Sequence, residues 1–396
     1  MSKKIIKEKV EQAKKVLNEF DIDCWITFAR ESQIVADPML AFMVESDVTW
    51  HSAFIINRDR SSKVIVGRYD VPTISDLGVY DDVEGYVTGI KEPFIKYMTE
   101  LNPAKIAINY SEGSEICDGL TYGMYLTLHD MLAEIGMEDR LISAERIVSA
   151  IRERKTSTEL ENMKEAIRIT EEIWDTTARW LRRGITSIEI ADFMKAEAKK
   201  RNVGLAWEPN VCPAVFAGLG EGEAHYAPGK KPVTPGEILN MDFGVRYENY
   251  VSDMQRTFYC LKDDESGAPQ DVMHGFDTIV QAIQDAKESI KPGIEAWKVD
   301  EVARKIVVAA GFEEFPHGLG HQLGIFSHDG TALLGPKWNK YAEKPFQLLE
   351  ENMVFTLEPR VTVANRGIAT IEEMVVVTET GGEWLTTPQK EILLVK

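Results

Sequence analysis

The stretch that decides the fold is Asn240-Met-Asp-Phe-Gly-Val-Arg-Tyr-Glu-Asn-Tyr-Val-Ser-Asp-Met-Gln-Arg-Thr257. Its apolar flanks, residues 238–245 and 250–260, predict a β-hairpin. Asp242 and Asp253 are symmetric about a turn near Tyr247 and Glu248, so we expect them opposite each other. Opposed Cβ atoms lie roughly 4.5 to 5.5 Å apart, and two carboxylates there repel unless a cation lies between them. Two loop-end aspartates in water remain an open alternative.

A second hairpin is predicted from residues 354–363 and 368–378. It carries Glu358 and Glu372, which are symmetric about Asn365 and lie in the apolar contexts Phe-Thr-Leu-Glu-Pro and Thr-Ile-Glu-Glu-Met. An ionised carboxylate inside an apolar strand is costly without a partner charge, and no lysine or arginine is adjacent to either one in the chain. A bound cation explains the pair, although an exposed strand face or a distant arginine stays open.

Histidines are concentrated between the hairpins, where His317, His321 and His328 are three of the seven in the chain. The glycines of His-Gly-Leu-Gly-His do not have the G-x-G-x-x-G spacing of a nucleotide loop, and no preceding strand is evident. One histidine alone would more often be structural. Three histidines together with four carboxylates on paired strands favour a metal site.

The predicted ligand set contains mostly oxygen donors with one nitrogen. One imidazole and four carboxylates suit two Mn²⁺, Co²⁺, Zn²⁺ or Fe²⁺ ions that share bridging carboxylates. Two ions roughly 3.5 to 4 Å apart can hold a bridging hydroxide at neutral pH and stabilise the oxyanion formed when it attacks a carbonyl. The residues therefore predict hydrolysis of an amide.

The remaining pattern predicts two domains, residues 1–155 and 156–396. The first begins with an amphipathic helix over residues 3–20 and then alternates strands with helices, which indicates an α/β domain. Thr156 and Glu159 are spaced as a helix-capping box at the start of the second domain. Two long helices, a pair of helices within residues 270–311 and the two hairpins make the second domain α+β. The strands expected in the first domain are residues 24–28, 53–56, 63–66 and 105–109, and its other helices are residues 93–101 and 120–135.

Composition limits the classes of partner. Lys and Arg total 45 against 64 Asp and Glu, a net charge of −19 that repels nucleic acid and anionic membrane surfaces. No apolar run approaches the roughly 20 residues of a membrane span, and the lysine-rich start does not lead into a secretory signal. The four cysteines contain no C-x-x-C pair and fit reduced thiols. We expect a cytoplasmic enzyme without a nucleic-acid or membrane partner.

Five motifs together resemble the pita-bread metallopeptidases, which include prolidase, aminopeptidase P, methionine aminopeptidase and the metal-free creatinase. They are Glu223-Ala-His225-Tyr226, the 242–257 hairpin, the 317–329 segment, Leu357-Glu-Pro359 and Ile371-Glu372, in the family's order. The resemblance implies a creatinase-like α/β N-terminal domain followed by an α+β pita-bread catalytic domain. Methionine aminopeptidase lacks that first domain and is disfavoured.

The resemblance also implies residue roles. Asp242 would chelate one metal, His321 and Glu358 would bind the other, and Asp253 and Glu372 would bridge the two. Glu358 would also take the proton of the bridging water. The accessory histidines would be His328 at the substrate carbonyl, His317 at the substrate backbone or the tetrahedral intermediate, and His225 in the wall of the leaving-group pocket. A packed pocket residue is the alternative for His225. Members with this N-terminal domain are commonly homodimers, and manganese or cobalt is favoured among the metals.

The resemblance implies cleavage of small Xaa-Pro peptides by a dipeptidase or an aminopeptidase. Two departures leave the specificity open, because Thr370 stands where proline-specific members have an arginine and Arg360 where they have a glycine. A missing arginine removes a partner for a substrate carboxylate, which Arg360 or Arg366 could replace. The alternatives are a creatinase- or ectoine-hydrolase-like enzyme acting on another amide or cyclic amidine, and a non-catalytic binding module.

Overall fold

The computed structural model describes residues 1–59, 61–218 and 227–396. By compactness the chain divides into two units, Met1–Arg152 and Glu153–Lys396. The sequence predicts domains of residues 1–155 and 156–396, and these limits remain a prediction. Among the helices of the described residues, none is long and apolar enough to cross a membrane.

The first unit is built around one mixed sheet of six strands in the order β4-β3-β2-β1-β5-β6. The pairs β1–β2 and β2–β3 are antiparallel, and the other three pairs are parallel. Every residue of β1, β2 and β3 is buried, which explains why these strands are predominantly apolar. The elements are α1 Lys3–Glu19, β1 Cys24–Ala29, β2 Ser52–Asn57, β3 Ser62–Gly67, α2 Val71–Leu77, β4 Asp82–Tyr86, α3 Lys91–Leu101, β5 Ile106–Ile108, α4 Tyr122–Ala133, β6 Leu141–Ser143 and α5 Glu145–Glu153.

In its described residues the second unit combines four α-helices with several small sheets. Strands β20-β12-β9-β8 form the largest of these sheets, and β15-β18-β19 and β11-β10-β7 form sheets of three. The elements are α6 Ser157–Trp180, α7 Ser187–Lys200, β7 Gly204–Leu205, β8 Ala214–Ala217, β9 Ile238–Phe243, β10 Val245–Tyr247, β11 Tyr250–Val251, β12 Met254–Cys260, α8 Gln270–Ser289, α9 Ala296–Ala309, β13 Gly320–His321, β14 Leu333–Leu334, β15 Val354–Leu357, β16 Arg360–Val363, β17 Gly367–Thr370, β18 Glu373–Thr378, β19 Gly381–Trp384 and β20 Leu393–Val395.

Helix α6 begins at the predicted capping box. The Thr156 hydroxyl accepts from the Glu159 backbone N–H at 3.4 Å, and the Glu159 carboxylate accepts from the Thr156 backbone N–H at 2.7 Å. Thr186 and Glu189 form a second box at the start of α7. Each box satisfies N–H groups that the first helical turn leaves unpaired, which explains where both helices begin.

Helix α8 packs against β16 and β17 of the second hairpin. Its buried residues Phe276, Ile279 and Ile283 belong to one apolar cluster with Val361 and Ala369 of those strands. Burial of aliphatic and aromatic side chains stabilises a fold by roughly 1.5 to 3 kcal/mol for each fully buried group. The helix thereby supports the hairpin that carries Glu358 and Glu372.

The first hairpin differs from the predicted register. Asp242 pairs with Gln255, and Glu248 and Asn249 form the two-residue turn, both with positive φ, at 45° and 71°. The predicted turn lay one residue too early, so the expectation that Asp253 lies directly opposite Asp242 is wrong. The pairing of the two strands puts Asp253 diagonally across from Asp242, on the same face. Asparagine tolerates a left-handed conformation, and this preference sets the turn.

The second hairpin has the predicted symmetry. Leu357 pairs with Glu373, and Arg360 pairs with Thr370, so the same register continues on both sides of the two glutamates. Asn365 lies at the turn with φ of 60°. Glu358 and Glu372 are therefore opposed, and Arg360 and Thr370 form the next pair on the same face, because side chains alternate along a strand.

Candidate metal centre

Five chain segments converge at one place in the second unit. Asp242 lies on β9, Asp253 between β11 and β12, His321 at the end of β13, Glu358 after β15, and Glu372 between β17 and β18. The two hairpins and the histidine segment thus each contribute at least one side chain.

The Nε2 atom of His321 lies close to three carboxylate groups. It lies 3.5 Å from Glu358 Oε1, 3.8 Å from Glu372 Oε1 and 4.0 Å from Asp253 Oδ2. Ligand atoms of Asp253, His321 and Glu372 all lie within 4.8 Å of one another. One imidazole with several carboxylate oxygens at this spacing fits a divalent transition metal.

The two aspartates provide a further sign of a cation. Asp242 Oδ1 and Asp253 Oδ1 are buried and have no hydrogen-bond partner among the described residues. Buried carboxylate oxygens are ordinarily paired, since leaving one unpaired is costly. The donor set therefore fits metal ions on chemical grounds.

The carboxyl groups have strongly perturbed pKa values. Burial raises the pKa of Asp242 to about 7. Burial, followed by the charges of neighbouring carboxylates, raises the pKa of Asp253, Glu358 and Glu372 well above its usual range. Four carboxylates in one dry place cannot all ionise without a compensating charge. A cation would supply that charge and lower all four pKa values.

The His321 ring is oriented for metal binding. Its Nδ1 atom lies 3.3 Å from the Gln322 carbonyl oxygen, and its Nε2 atom faces the carboxylates. An Nδ1–H donated to a carbonyl leaves the Nε2 lone pair available to a metal. Burial, and then the neighbouring His328, lowers the pKa of His321 to about 3, so the ring is neutral at physiological pH.

The accessory histidines His317 and His328 precede and follow His321 in the chain. The His328 ring meets the His321 ring edge-on with centroids 4.2 Å apart. His317 contacts the Gly318 carbonyl oxygen through Nδ1 at 2.8 Å, and burial lowers the pKa of His317 to about 4. His225 lies outside the described residues.

The glycines between the histidines allow close backbone approach. A Cβ atom at Gly320 would lie 1.8 Å from the Thr356 carbonyl oxygen of β15. The neighbouring His321 N–H donates to Thr356 Oγ1 at 3.2 Å, and the Glu358 N–H donates to the Leu319 carbonyl at 2.7 Å. Glycine is required because the histidine segment lies directly against the strand that leads to Glu358.

Sequence reasoning missed two residues of the site, Gln255 and Arg256. Gln255 Nε2 donates to Glu372 Oε2 at 2.9 Å and to Glu358 Oε2 at 3.3 Å. The Arg256 guanidinium contacts both carboxylate oxygens of Glu373, at 2.9 and 3.3 Å, and donates to the Glu372 carbonyl at 3.2 Å. Both residues lie in the stretch quoted above, and only the strand pairing shows that they support the glutamates.

The departures at Arg360 and Thr370 lie beside the carboxylates. Arg360 is half-buried, and its charge contributes to the lowered pKa of His317. Thr370 is buried and bonded through its backbone to the Thr257 hydroxyl. Arg366 instead donates to the Asp271 carboxylate and the Gly236 carbonyl, both at 3.0 Å. Of the two arginines, Arg360 lies on the face of the hairpin that carries the glutamates.

Residues 161–379 match the family model described as metallopeptidase family M24. The chain belongs to metallopeptidase family M24. A Staphylococcus saprophyticus relative described as an uncharacterized peptidase is 30% identical over 247 residues, which are 62% of this chain and 66% of the relative. The matched part is thus just under two thirds of that relative's length.

Solved structures confirm the predicted fold of this M24 chain. The Xaa-Pro dipeptidase from Bacillus anthracis aligns with a TM-score of 0.74 at 22% identity and covers 98% of this chain and 100% of its own. The X-Pro aminopeptidase from Thermotoga maritima aligns with a TM-score of 0.74 at 24% identity, covering 96% and 99%. The α/β N-terminal domain and the α+β pita-bread domain agree with the prediction.

Proposed function

We propose that this M24 chain hydrolyses the peptide bond that precedes proline in dipeptides or short peptides, with two divalent metal ions. The observation that carries the proposal is the convergence of three carboxylates, Asp253, Glu358 and Glu372, within 4.0 Å of the Nε2 atom of the neutral His321 ring, with Asp242 beside Asp253. The names of the solved structures with this fold, a dipeptidase and an aminopeptidase for Xaa-Pro bonds, support the substrate class.

Each site residue has a role in this proposal. Asp242 would help to hold one ion, His321 and Glu358 would help to hold the other, and Asp253 and Glu372 would serve both. When bound, the two ions supply a nucleophilic water and positive charge for the developing oxyanion.

The remaining groups handle protons and substrate. Glu358 accepts the proton of the attacking water and delivers it to the leaving amine. His328 donates a hydrogen bond to the substrate carbonyl, and His317 contacts the substrate backbone or the tetrahedral intermediate. His225, outside the described residues, belongs in this proposal to the wall of the leaving-group pocket.

A second candidate is hydrolysis of a non-peptide amide or a cyclic amidine. The observation that favours it is the pair Arg360 and Thr370, which faces the substrate side of the hairpin and differs from proline-specific members. A non-catalytic binding module is disfavoured, because such a module has no need of three carboxylates within 4.0 Å of a histidine nitrogen, two of them buried.

We extend the proposal to metal, assembly and location. Mn²⁺ or Co²⁺ is favoured over Zn²⁺ or Fe²⁺, and the chain acts as a homodimer in the cytoplasm. The four cysteines are free and buried, which supports a reducing compartment.

A substrate panel tests the function. We expect chelator-stripped protein to be inactive, and added Mn²⁺ or Co²⁺ to restore cleavage of Ala-Pro, Met-Pro and Gly-Pro but not of Ala-Ala. Cleavage of Ala-Pro-Ala as well would identify an aminopeptidase, whereas dipeptides alone would identify a prolidase. Failure to cleave any Xaa-Pro bond, although metal binds, would overturn the peptidase proposal and favour the non-peptide amide.

Arg360 is expected to bind the carboxylate of a dipeptide substrate. A charge-assisted hydrogen bond contributes about 1.5 to 3 kcal/mol, so Arg360→Gln is expected to raise KM for Ala-Pro by roughly 10- to 100-fold. KM for Ala-Pro amide, which has no carboxylate, is expected to stay within about threefold. Arg366→Gln is the matched control, because Arg366 lies beyond the turn at Asn365 and is bonded to Asp271 of α8. Equal losses on the acid and the amide would contradict this role.

A further inference from the structure

The first unit contains a cavity that the proposed reaction does not use. Its volume of about 430 Å³ is within the usual range of pockets for small ligands. The lining comes from the end of β1, the segment after it, the residues before β2 and the beginning of α4. Every described lining residue belongs to Met1–Arg152, and none is a proposed metal ligand or accessory histidine. The cavity therefore needs an explanation of its own.

The wall of the cavity is mainly apolar and aromatic. Phe28 stacks on His51 with ring centroids 5.8 Å apart. Trp50 and Ile34 also line the cavity, although they are 58% and 80% exposed. Ile34 is held in place, since its backbone N–H donates to the Glu31 carbonyl oxygen at 2.8 Å. Exposed apolar side chains that line a cavity indicate a ligand with an apolar part.

The lining also carries charges of both signs. Arg30 is the one lysine or arginine among the described lining residues, and Glu31 and Asp37 are the two acids. Neither Arg30 nor Glu31 forms an ion pair with another residue in the part of the chain that the structure describes. The guanidinium group and the carboxylate are thus each available to an oppositely charged group of a ligand.

Asp37 supplies a negative charge that is almost completely buried. It is 3% exposed, its Oδ1 atom accepts from the Met39 N–H at 2.8 Å, and Asn109 Nδ2 lies 3.0 Å from both carboxylate oxygens. These donors fix its orientation. Burial nevertheless raises the pKa of Asp37 to about 6. A cationic group in the cavity would stabilise the ionised carboxylate.

His51 provides a polar atom without a use. Its Nε2 atom is buried and has no hydrogen-bond partner among the described residues. Burial, and then the charge of Arg30, lowers the pKa of His51, so the ring is neutral at neutral pH. Buried polar atoms are ordinarily paired, which indicates a polar ligand group here. One guanidinium beside two acids is too little positive charge for a polyphosphate, so a nucleotide is excluded.

We propose that this cavity binds an apolar α-amino acid in its zwitterionic form. The ammonium group contacts Asp37 and Glu31, the carboxylate contacts Arg30, and the side chain lies against Phe28 and Trp50. A purely apolar molecule would leave both signs of charge without a partner, and the zwitterion satisfies both. The proposal goes beyond the hydrolase function and does not require a bound metal.

Calorimetric titration of the chelator-stripped full chain with L-leucine, L-phenylalanine and L-methionine tests the site. One molecule is expected to bind per chain. N-acetyl-leucine lacks the ammonium group and leucinamide lacks the carboxylate, so each is expected to bind at least about tenfold more weakly than leucine, the usual loss for one charge-assisted hydrogen bond.

Arg30→Gln identifies the group that binds the carboxylate. It is expected to weaken binding of leucine by about tenfold or more and binding of leucinamide by less than about threefold, because leucinamide has no carboxylate to lose a partner. Arg68→Gln is the matched control, since Arg68 is an exposed arginine outside the lining. Equal losses on leucine and leucinamide in folded Arg30→Gln would contradict the assigned orientation and overturn the proposal.

Trp50→Phe tests the position of the ligand, because it keeps an aromatic wall. Leucine is expected to change the tryptophan fluorescence of wild type but not that of Trp50→Phe, in which calorimetry still detects binding. Binding that requires added Mn²⁺, or that is lost in Arg360→Gln and kept in Arg30→Gln, would place the amino acid at the metal centre and overturn this site. Absence of binding to folded wild type at millimolar concentrations would also overturn it. Neither result would change the metal-dependent function, which the substrate panel tests separately.

Discussion

Replacement of Glu358 by glutamine is expected to lower kcat/KM for the best Xaa-Pro substrate by about 10²- to 10⁴-fold, the usual contribution of a general base. The change keeps the shape of the side chain but removes the charge that faces His321 Nε2 at 3.5 Å. The backbone should not move, because the Glu358 N–H is bonded to the Leu319 carbonyl and strands β15 and β16 hold either side.

The measurement is steady-state hydrolysis together with metal content per chain. Glu351→Gln is the matched control, since Glu351 is exposed and lies seven residues before Glu358. If Glu358→Gln bound the full complement of metal and retained more than about one tenth of wild-type kcat, Glu358 would be a ligand at most and the proton acceptor would be another group. Loss of both metal and activity would leave its role as a ligand and require the proton step to be assigned separately.

The second hairpin could be predicted from sequence because its symmetry is simple. Apolar residues flank Asn365 on both sides, and the observed register stays constant from Leu357–Glu373 to Arg360–Thr370. The opposition of Glu358 and Glu372 follows directly. In the first hairpin a shift of one residue in the turn moved Asp253 from a directly opposed to a diagonal position. Turn conformation depends on φ at Glu248 and Asn249, which apolar patterning does not report.

Several elements of the first unit were not anticipated. The edge strand β4 is partly exposed along its whole length, so its residues lack the apolar run that identified β1, β2 and β3. Strand β6 has only three residues, too short for a period to show. The predicted strand at residues 105–109 is confirmed as β5, whereas no element was predicted from the sequence where β6 and helix α5 lie.

Gln255 illustrates what the sequence cannot supply about the site. An uncharged residue between Met254 and Arg256 in a strand gives no chemical signal of its own. Its importance depends on which residue it faces in the sheet. It also depends on contact with the second hairpin, which follows more than 100 residues later in the chain. Ligand candidates could be found because carboxylates in apolar strands are unusual by themselves. Their hydrogen-bond partners required the three-dimensional arrangement.

Removal of metal is expected to make stability fall as pH rises through neutrality. Unfolded Asp and Glu carboxyls titrate near pH 4, whereas in the folded site the pKa of Asp242 is about 7 and the pKa of Asp253, Glu358 and Glu372 is raised well above its usual range. The folded state therefore binds more protons than the unfolded state. The free energy of unfolding then decreases with rising pH, by about 1.4 kcal/mol per pH unit for each proton held.

The histidines determine the pH range in which the effect of the carboxyl groups can be measured alone. The lowered pKa values of His317 and His321 have the opposite effect, because the unfolded state binds their protons first as pH falls below about 6.5. Above pH 6.5 both rings are neutral in both states, and the carboxyl groups alone determine the slope. Between pH 6.5 and 8.5, loss of the Asp242 proton corresponds to about 1 kcal/mol, or a decrease in Tm of roughly 2 to 4 °C, and the raised pKa of Asp253, Glu358 and Glu372 acts in the same direction.

Saturating Mn²⁺ is expected to remove most of this decrease, because metal binds the deprotonated carboxylates and its affinity rises with pH. Metal at 100 times its dissociation constant adds about 2.7 kcal/mol to the folded state. Calorimetric Tm values at pH 6.5 and 8.5, with and without metal, measure both effects. Asp253→Asn, which removes one coupled carboxyl without changing its size, should flatten the metal-free slope. A metal-free Tm that is constant across this window would mean that the four carboxylates are already ionised and compensated by the protein itself, and the electrostatic case for two cations would fail.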